Sequence, residues 1–503
     1  MEHRVRKVVI AGGGTAGWTV AAALGKVLGT LLDVTLVESD DIGTVGVGEA
    51  TIPTMRTFHH LLGIDERDFM RETNATFKLG IAFENWGEVG DRYIHSFGTV
   101  GRGNWMGDFQ NLWLEAREKG FAGEFGEYCF ELQAAEAGRF YTGEKAPTSY
   151  AFHLDATAYG QFLRRFSEQY GVRRQEGKIA TVDLDGESGD IAALVLESGE
   201  RIEGDLFIDC TGFRGLLIED ALKTGYEDWT HWLPTDSALA VQTQSVAEPL
   251  TYTRAMAHDA GWQWRIPLQH RVGNGLVFCS EYLSDDAARD RLAGNIEGEQ
   301  LTEPRMIRYR TGRRKSMWTR NCVALGLSSG FIEPLESTSI HLIQIGITRL
   351  LKCFPFGGIS EPTRDHFNEL MIKELECIRD FIVLHYKATE RDDSPFWQRC
   401  RDMAIPDSLA HRIELFRQSA LVHPDPHDLF RVDSWLQVMM GQRMMPQAWH
   451  RMGALMTDDQ LRGTLVRMKE NITRAVGQMP THQAFIERYC ANGSTNDAVM
   501  QRA

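Results

Sequence analysis

Three stretches of this chain carry side chains whose types and spacing could do chemistry. In ATFKLGIAFENW, Ala75 to Trp86, Lys78 lies among Ala75, Phe77, Leu79 and Ile81. A solvent-facing ammonium is the ordinary reading of a lysine. Buried beside an apolar pocket, the amine would be partly neutralised and usable as a nucleophile or a hydrogen-bond donor. In GFIEPLESTSIHLIQ, Gly330 to Gln344, Glu336 follows Pro334 and opens an apolar helix carrying Ile340, Leu342 and Ile343. Ser337, Thr338 and Ser339 then fall near the helix N-terminus, where unpaired N–H groups and the dipole favour an anion. A plain capping segment with Glu336 in the first turn explains the pattern equally well. In GWQWRIP, Gly261 to Pro267, Trp262 and Trp264 share one face at strand spacing, which on physics alone reads as a core or cross-strand pair.

Such groups need a scaffold, and Lys7 to Glu38 supplies the clearest one. An apolar run, Val8 to Ala11, feeds a turn in which Gly12, Gly14 and Gly17 have the G-x-G-x-x-G spacing. The first glycine permits the tight turn, the second lets backbone approach a pyrophosphate, and the third lets the following helix pack closely. An Ala-rich helix and a second apolar strand, Val34 to Val37, end at Glu38, roughly 20 residues beyond the turn, where an acid can accept ribose hydroxyls. The unit binds a dinucleotide, FAD or NAD rather than NADP. Two further apolar strands end in small residues, at Asp209 to Gly212 and at Cys322 to Leu327. Three strand ends delivered to one ligand favour FAD.

Elsewhere the patterning is plainer. Asp40 to Thr54 is rich in glycine and proline and reads as a loop over the nucleotide. Helical patterning covers Met55 to Leu62 and Asp65 to Thr73, and Ala75 to Trp86 alternates like a strand. Asp91 to Tyr141, with many glycines and aromatics, suits the wall of an apolar pocket better than a regular sheet. Phe152 to Gly171 reads as a helix, and short strands follow to Gly212. Beyond Leu350 the chain is helical, and Met439, Met440, Met444 and Met445 read as core filling.

The chain has 503 residues, 43% hydrophobic and 24% charged, an ordinary soluble-enzyme composition. No apolar run approaches the roughly 18 residues of a membrane span, and a strand at Val8 leaves no room for a signal peptide, so a cytoplasmic protein is expected. Eight cysteines without C-x-x-C spacing indicate reduced thiols and no metal site. A formal charge of -15 opposes binding to nucleic acid or anionic membranes.

At these motifs the chain resembles the FAD-dependent tryptophan halogenases, a branch of the flavin monooxygenase fold. The resemblance rests on GGGTAGW at Gly12 to Trp18, WQWRIP at Trp262 to Pro267, TFKLGIAFENW around Lys78 and FIEPLESTSI around Glu336, and runs over nearly the whole length. It implies an α/β fold: a Rossmann-like FAD-binding domain over 1–350 with an interleaved substrate region at about 91–145 and 225–310, and a mainly helical region over 351–503. FAD contacts are implied at Gly12, Gly14, Thr15, Ala16, Gly17 and Glu38, at Gly48, Glu49 and Ala50, at Trp262 and Trp264, and at Leu327. The implied reaction is two-component. FADH2 from a separate flavin reductase meets O2 to give a flavin hydroperoxide, chloride or bromide attacks it, and hypohalous acid reaches Lys78. That lysine holds the acid by a hydrogen bond or forms a haloamine, and Glu336 orients the electrophile and stabilises or deprotonates the cationic arene. Halide is implied near the backbone of Thr338 and Ser339, and stacking on the substrate ring at His95 and Phe97. A homodimer is compatible with this reading.

The sequence departs from the family at two places. Free-tryptophan halogenases hold the amino acid's charged groups with a Tyr-Tyr pair and a downstream Glu, whereas Trp435 to His450 reads WLQVMMGQRMMPQAWH and lacks that clamp. A zwitterion would be left with unpaired charges, so indole or an indole derivative is the expected arene. Ser339 stands where the family usually has Gly, and its bulk points toward bromide. A flavin-dependent hydroxylase and a free-tryptophan halogenase remain the alternatives, with a flavin-binding protein lacking turnover a further rival.

Overall fold

The computed structural model describes residues 4–42, 48–103, 107–143 and 148–491. The chain forms two compact units, and each takes three separate stretches of sequence. One is Met1–Asn74, Leu154–Ser237 and Ile307–Arg379; the other is Ala75–His153, Ala238–Met306 and Asp380–Ala503.

The first unit is built on a six-stranded sheet in the order Trp318–Thr319, Cys322–Ala324, Leu206–Asp209, Lys7–Ala11, Asp33–Glu38, Arg173–Glu176. All pairings are parallel except the first, an antiparallel hairpin at the edge. The register aligns Ala11 with Asp209 and Asp209 with Ala324, so the three small-residue strand ends named above are neighbours at the carboxyl end of the sheet. Apolar runs such as Val8 to Ala11 are almost wholly buried, as a parallel sheet covered on both faces requires. The helix Thr15–Leu28 packs against the helices Ala156–Glu168 and Ser339–Lys352, which is why its residues Gly17 to Gly25 are all buried.

The second unit is built on a seven-stranded sheet in the order Arg305–Arg308, Ser237–Gln244, Arg271–Phe278, Gly261–Pro267, Tyr252–His258, Gly80–Glu84, Arg92–Ser96. Tyr252–His258 and Gly80–Glu84 run parallel, and the pairings on either side of them are antiparallel. A shorter strand, Thr76–Lys78, pairs antiparallel with residues 151–153. Helices that follow Arg379, among them Val432–Gly441 and His482–Ala491, complete this unit.

Several sequence expectations change. Residues 152–155 belong to the strand Ala151–Asp155 rather than to the helix, because Asp155 caps the helix by accepting the Thr157 and Ala158 N–H groups. Asp91 to Tyr141 holds a sheet strand, Arg92–Ser96, and the helices Phe109–Glu118 and Phe130–Glu136. In the stretch read as a loop over the nucleotide, Gly48–Ala50 is a short strand and residues 43–47 lie outside the described residues. Among the described residues no cysteine is in a disulfide. Among the described residues no helix is long and apolar enough to cross a membrane.

Candidate active site

In the first unit the strand Lys7–Ala11 delivers the chain to Gly12, whose φ of 102° lies in the left-handed region open to glycine. A Cβ on Gly12 would lie 2.4 Å from the Cys210 carbonyl oxygen, so the turn presses against the neighbouring DCTG turn. Asp209 fixes that second turn: fully buried, its carboxylate accepts N–H bonds from Thr211, Leu217 and Ile218. Gly14, by contrast, has open space where its Cβ would be, and Gly12 to Ala16 are only half-buried. The Thr15–Leu28 helix has Gly14 as its N-cap with no side-chain cap, which leaves its first N–H groups for an anion. Glu38 ends its strand beside the turn, accepting from the Trp18 indole N–H at 3.2 Å and pairing with Arg174. Gly326 adjoins this cradle. A Cβ on it would lie 2.8 Å from the Ala16 Cβ, and Leu327 follows, half-buried. Gly48 and Ala50 are buried, and burial pushes the Glu49 carboxyl up to about 7.

Glu336 is also in this unit and fully buried. It does not lie in the first turn of the following helix. Pro334–Glu336 is a separate 3₁₀ turn closed by the Ser337 N–H on the Pro334 carbonyl, and Ser337 adopts φ 60°, a conformation few residues other than glycine take. The helix Ser339–Lys352 starts only after that break, with Thr338 as N-cap. Thr338 is fully buried, and its hydroxyl has no hydrogen-bond partner among the described residues. A donor hydroxyl beside the free N–H groups of a helix N-terminus is suited to a small anion. The helix is held in place by His341, which bonds Thr54 at 3.0 Å and Glu374 at 2.7 Å, while Arg349 pairs with the same Glu374.

In the second unit Lys78 ends the strand Thr76–Lys78 and is fully buried, against the solvent-facing expectation. Its ammonium lies 5.3 Å from the centre of the Phe97 ring, a cation–π contact that offsets part of the desolvation. Thr76 and Lys78 share a sheet face with their partners His153 and Ala151. His95, buried on the strand Arg92–Ser96, packs edge-on to Phe381 at 5.5 Å, and Phe97 follows that strand half-buried. Trp262 and Trp264 are buried on Gly261–Pro267 with ring centres 6.1 Å apart. Trp264 lies flat against Gly275, where a Cβ would come within 2.0 Å of the ring, and its buried indole N–H has no partner among the described residues. An orphaned N–H is unusual for a residue that serves packing alone.

The family model described as tryptophan halogenase matches residues 7–458. The chain belongs to the tryptophan halogenase family. The tryptophan 6-halogenase SttH of Streptomyces toxytricini is 37% identical over 455 residues, covering 84% of this chain and 86% of that protein. Among solved structures, Xcc4156, a flavin-dependent halogenase from Xanthomonas campestris, is 54% identical with a TM-score of 0.96, covering 98% of this chain and 100% of that one. BrvH, a flavin-dependent halogenase from Brevundimonas sp. BAL3, is 43% identical with a TM-score of 0.93, covering 97% and 99%. The protein is a flavin-dependent halogenase acting on an aromatic small molecule with reduced FAD and halide, and a separate flavin reductase fits the family.

The halogenase's own geometry fits FAD: the open backbone at Gly14, the uncapped helix N-terminus and the carboxylate of Glu38 are the donor and acceptor set a flavin dinucleotide needs. Gly17→Ala should remove FAD binding, because the new Cβ would lie 1.8 Å from the Gly12 carbonyl oxygen and force the turn open. Flavin retained on a desalting column at the wild-type ratio would contradict this. Sequence reasoning missed His153 and His482, which flank the Lys78 strand; a buried histidine that bonds backbone or threonine leaves no motif of its own.

Proposed function

We propose that this halogenase acts on indole or an indole derivative rather than free tryptophan, taking chloride or bromide with bromide preferred. The observation that carries the substrate reading is the stretch 435–450, which contains no Tyr, Glu, Asp or Lys. Three of its long polar side chains already bond elsewhere. Gln437 bonds the Ser96 N–H and hydroxyl, Gln442 donates to Tyr93 and the His385 carbonyl, and Arg443 pairs with Glu88. Met439, Met440 and Met444 are buried as packing. The stretch offers no carboxylate to an amino acid's ammonium and its one arginine is already paired, so a zwitterion's charges would lack opposite charges there, at a cost of roughly 1–3 kcal/mol or more per unpaired group.

Bound FADH2 supplies, from O2 and halide, the hypohalous acid that the chain's residues then handle. Gly12, Gly14, Thr15, Ala16, Gly17, Glu38, Gly48, Glu49, Ala50 and Leu327 hold the dinucleotide, and Trp262 and Trp264 line it. The Thr338 and Ser339 backbone and the Thr338 hydroxyl bind halide, and the bulk of Ser339 bears on halide choice. Lys78 either hydrogen-bonds the acid or takes the halogen onto its neutral amine with release of water. The arene carbon then gains the halogen and loses its proton, while the fixed charge of Glu336 stabilises the cationic ring or accepts that proton. His95 and Phe97 stack the ring.

The deciding assay offers indole and tryptophan, each with chloride or bromide, to the protein with FAD, NADH, O2 and a flavin reductase, read by mass spectrometry. A bromine isotope pattern on indole and none on tryptophan is expected. Halogenated tryptophan as the main product would favour the second reading, free tryptophan, which the identity to a tryptophan 6-halogenase supports.

A further inference from the structure

We propose that His482 is a positioning residue for Lys78: its imidazole stands in for one missing rung of the hydrogen-bond ladder that fixes the Lys78 strand. The inference rests on the role given to Lys78 above. His482 opens the helix His482–Ala491, beyond the residues the family model matches.

Just before the parallel pairing of Gly80–Glu84 with Tyr252–His258 begins, the Leu79 N–H donates to the Thr251 carbonyl at 2.6 Å. A second contact of that kind, two residues back on each side, would join the Phe77 N–H to the Pro249 carbonyl. Instead the His482 ring lies between them. Its Nε2 accepts from the Phe77 N–H at 3.1 Å, and its Nδ1 is 2.8 Å from the Pro249 oxygen. A backbone N–H can only donate and a carbonyl only accept, so the ring must be neutral with its hydrogen on Nδ1. Burial agrees, holding its pKa down at about 4.

The consequence falls on Lys78. On one edge, its strand pairs with 151–153; on the other, the direct rung at Leu79 and the imidazole rung at Phe77 bracket it. The Phe77 side chain is enclosed on the opposite face by Phe140, Phe152, Phe485 and Tyr489, the last two from the same helix as His482. A helix distant in sequence from Lys78 thus sets the height and direction of its amine. Displacement of a reacting group by about 1 Å costs on the order of 10²-fold in rate.

The test compares His482→Phe, which keeps the ring volume and loses both bonds, with His482→Gln, which keeps a donor and an acceptor side by side. Arene halogenation and flavin reoxidation are followed separately, with Lys78→Ala run in parallel. Expected is a fall in the kcat of halogenation of roughly 10- to 100-fold in the Phe variant, with the arene KM and flavin reoxidation little changed and most of the rate restored in the Gln variant. Wild-type halogenation in His482→Phe beside a dead Lys78→Ala would overturn the proposal, and so would equal losses in the Phe and Gln variants. Should the Phe variant not fold, His482→Asn, whose shorter side chain reaches only one of the two partners, replaces it with the same expected and overturning results. Full activity in Lys78→Ala would locate the failure in the lysine's assigned role.

Discussion

Lys78→Ala is expected to lower arene halogenation by on the order of 10³-fold, in the range for removing a positioned catalytic side chain, while FAD still binds. The separation follows from placement: Lys78 belongs to the strand Thr76–Lys78, and the dinucleotide cradle to a different sheet. Because Lys78 is fully buried, truncation also leaves a cavity, so Lys78→Met, which keeps the apolar stem, is the better control for stability. Lys78→Arg then separates the two modes of action. An arginine keeps hydrogen-bond donors and cannot lose its proton. Residual halogenation in that variant supports holding hypohalous acid by a hydrogen bond, and complete loss supports a neutral amine that carries the halogen. The measurement is product formed per FADH2 supplied, and wild-type yield in Lys78→Ala would remove the residue from the mechanism.

The nucleotide-binding half of the fold was legible because its signals are local. Gly12, Gly14 and Gly17 sit between two apolar runs, and parallel strands buried on both faces are written as continuous apolar segments. The neighbouring strand ends at Asp209 and Ala324 followed from the same pattern. Residues 152–155 were not legible as a strand, since the strand they belong to pairs through 151–153 with Thr76–Lys78 far back in the sequence, and the helical period of the segment that follows ran over them. The position of Glu336 turned on one residue. With Ser337 in the left-handed region the chain breaks between the 3₁₀ turn and the helix, and nothing in the letters EST announces that break.

The burial of Lys78 could not be read from its neighbours either. What surrounds the buried lysine comes from distant stretches: the Phe97 ring over its ammonium, and the imidazoles of His153 and His482 that hold the neighbouring Thr76 and Phe77. His153 is held neutral. The Thr76 hydroxyl donates to the Pro267 carbonyl at 2.8 Å, so the contact at 3.1 Å must be the His153 Nδ1–H donating to that hydroxyl, and the Thr253 hydroxyl is left to donate to Nε2. Burial first, and then the charge of Lys78, push its pKa well below the usual histidine range. A second cation beside the lysine is thereby avoided. Pro267 closes W-x-W-x-I-P, so that motif also reaches the Lys78 strand through a backbone carbonyl that any residue would provide.

Glu336→Gln is expected to reduce halogenation by on the order of 10²-fold, the usual cost of removing a preorganised charge from where opposite charge develops. The substitution is nearly isosteric, and Glu336 is fully buried, so the change is in charge and proton affinity rather than in shape. The amide cannot accept the arene's proton, and its dipole is a weak substitute for a carboxylate in a low-dielectric site. The turn that separates Glu336 from the helix is closed by backbone, the Ser337 N–H on the Pro334 carbonyl, so halide affinity is expected to change little. Saturation of the halogenation rate with bromide reads that affinity. A large rise in the bromide concentration for half-maximal rate, with the maximal rate preserved, would mean that Glu336 shapes the anion site, and an unaltered rate throughout would exclude it from catalysis.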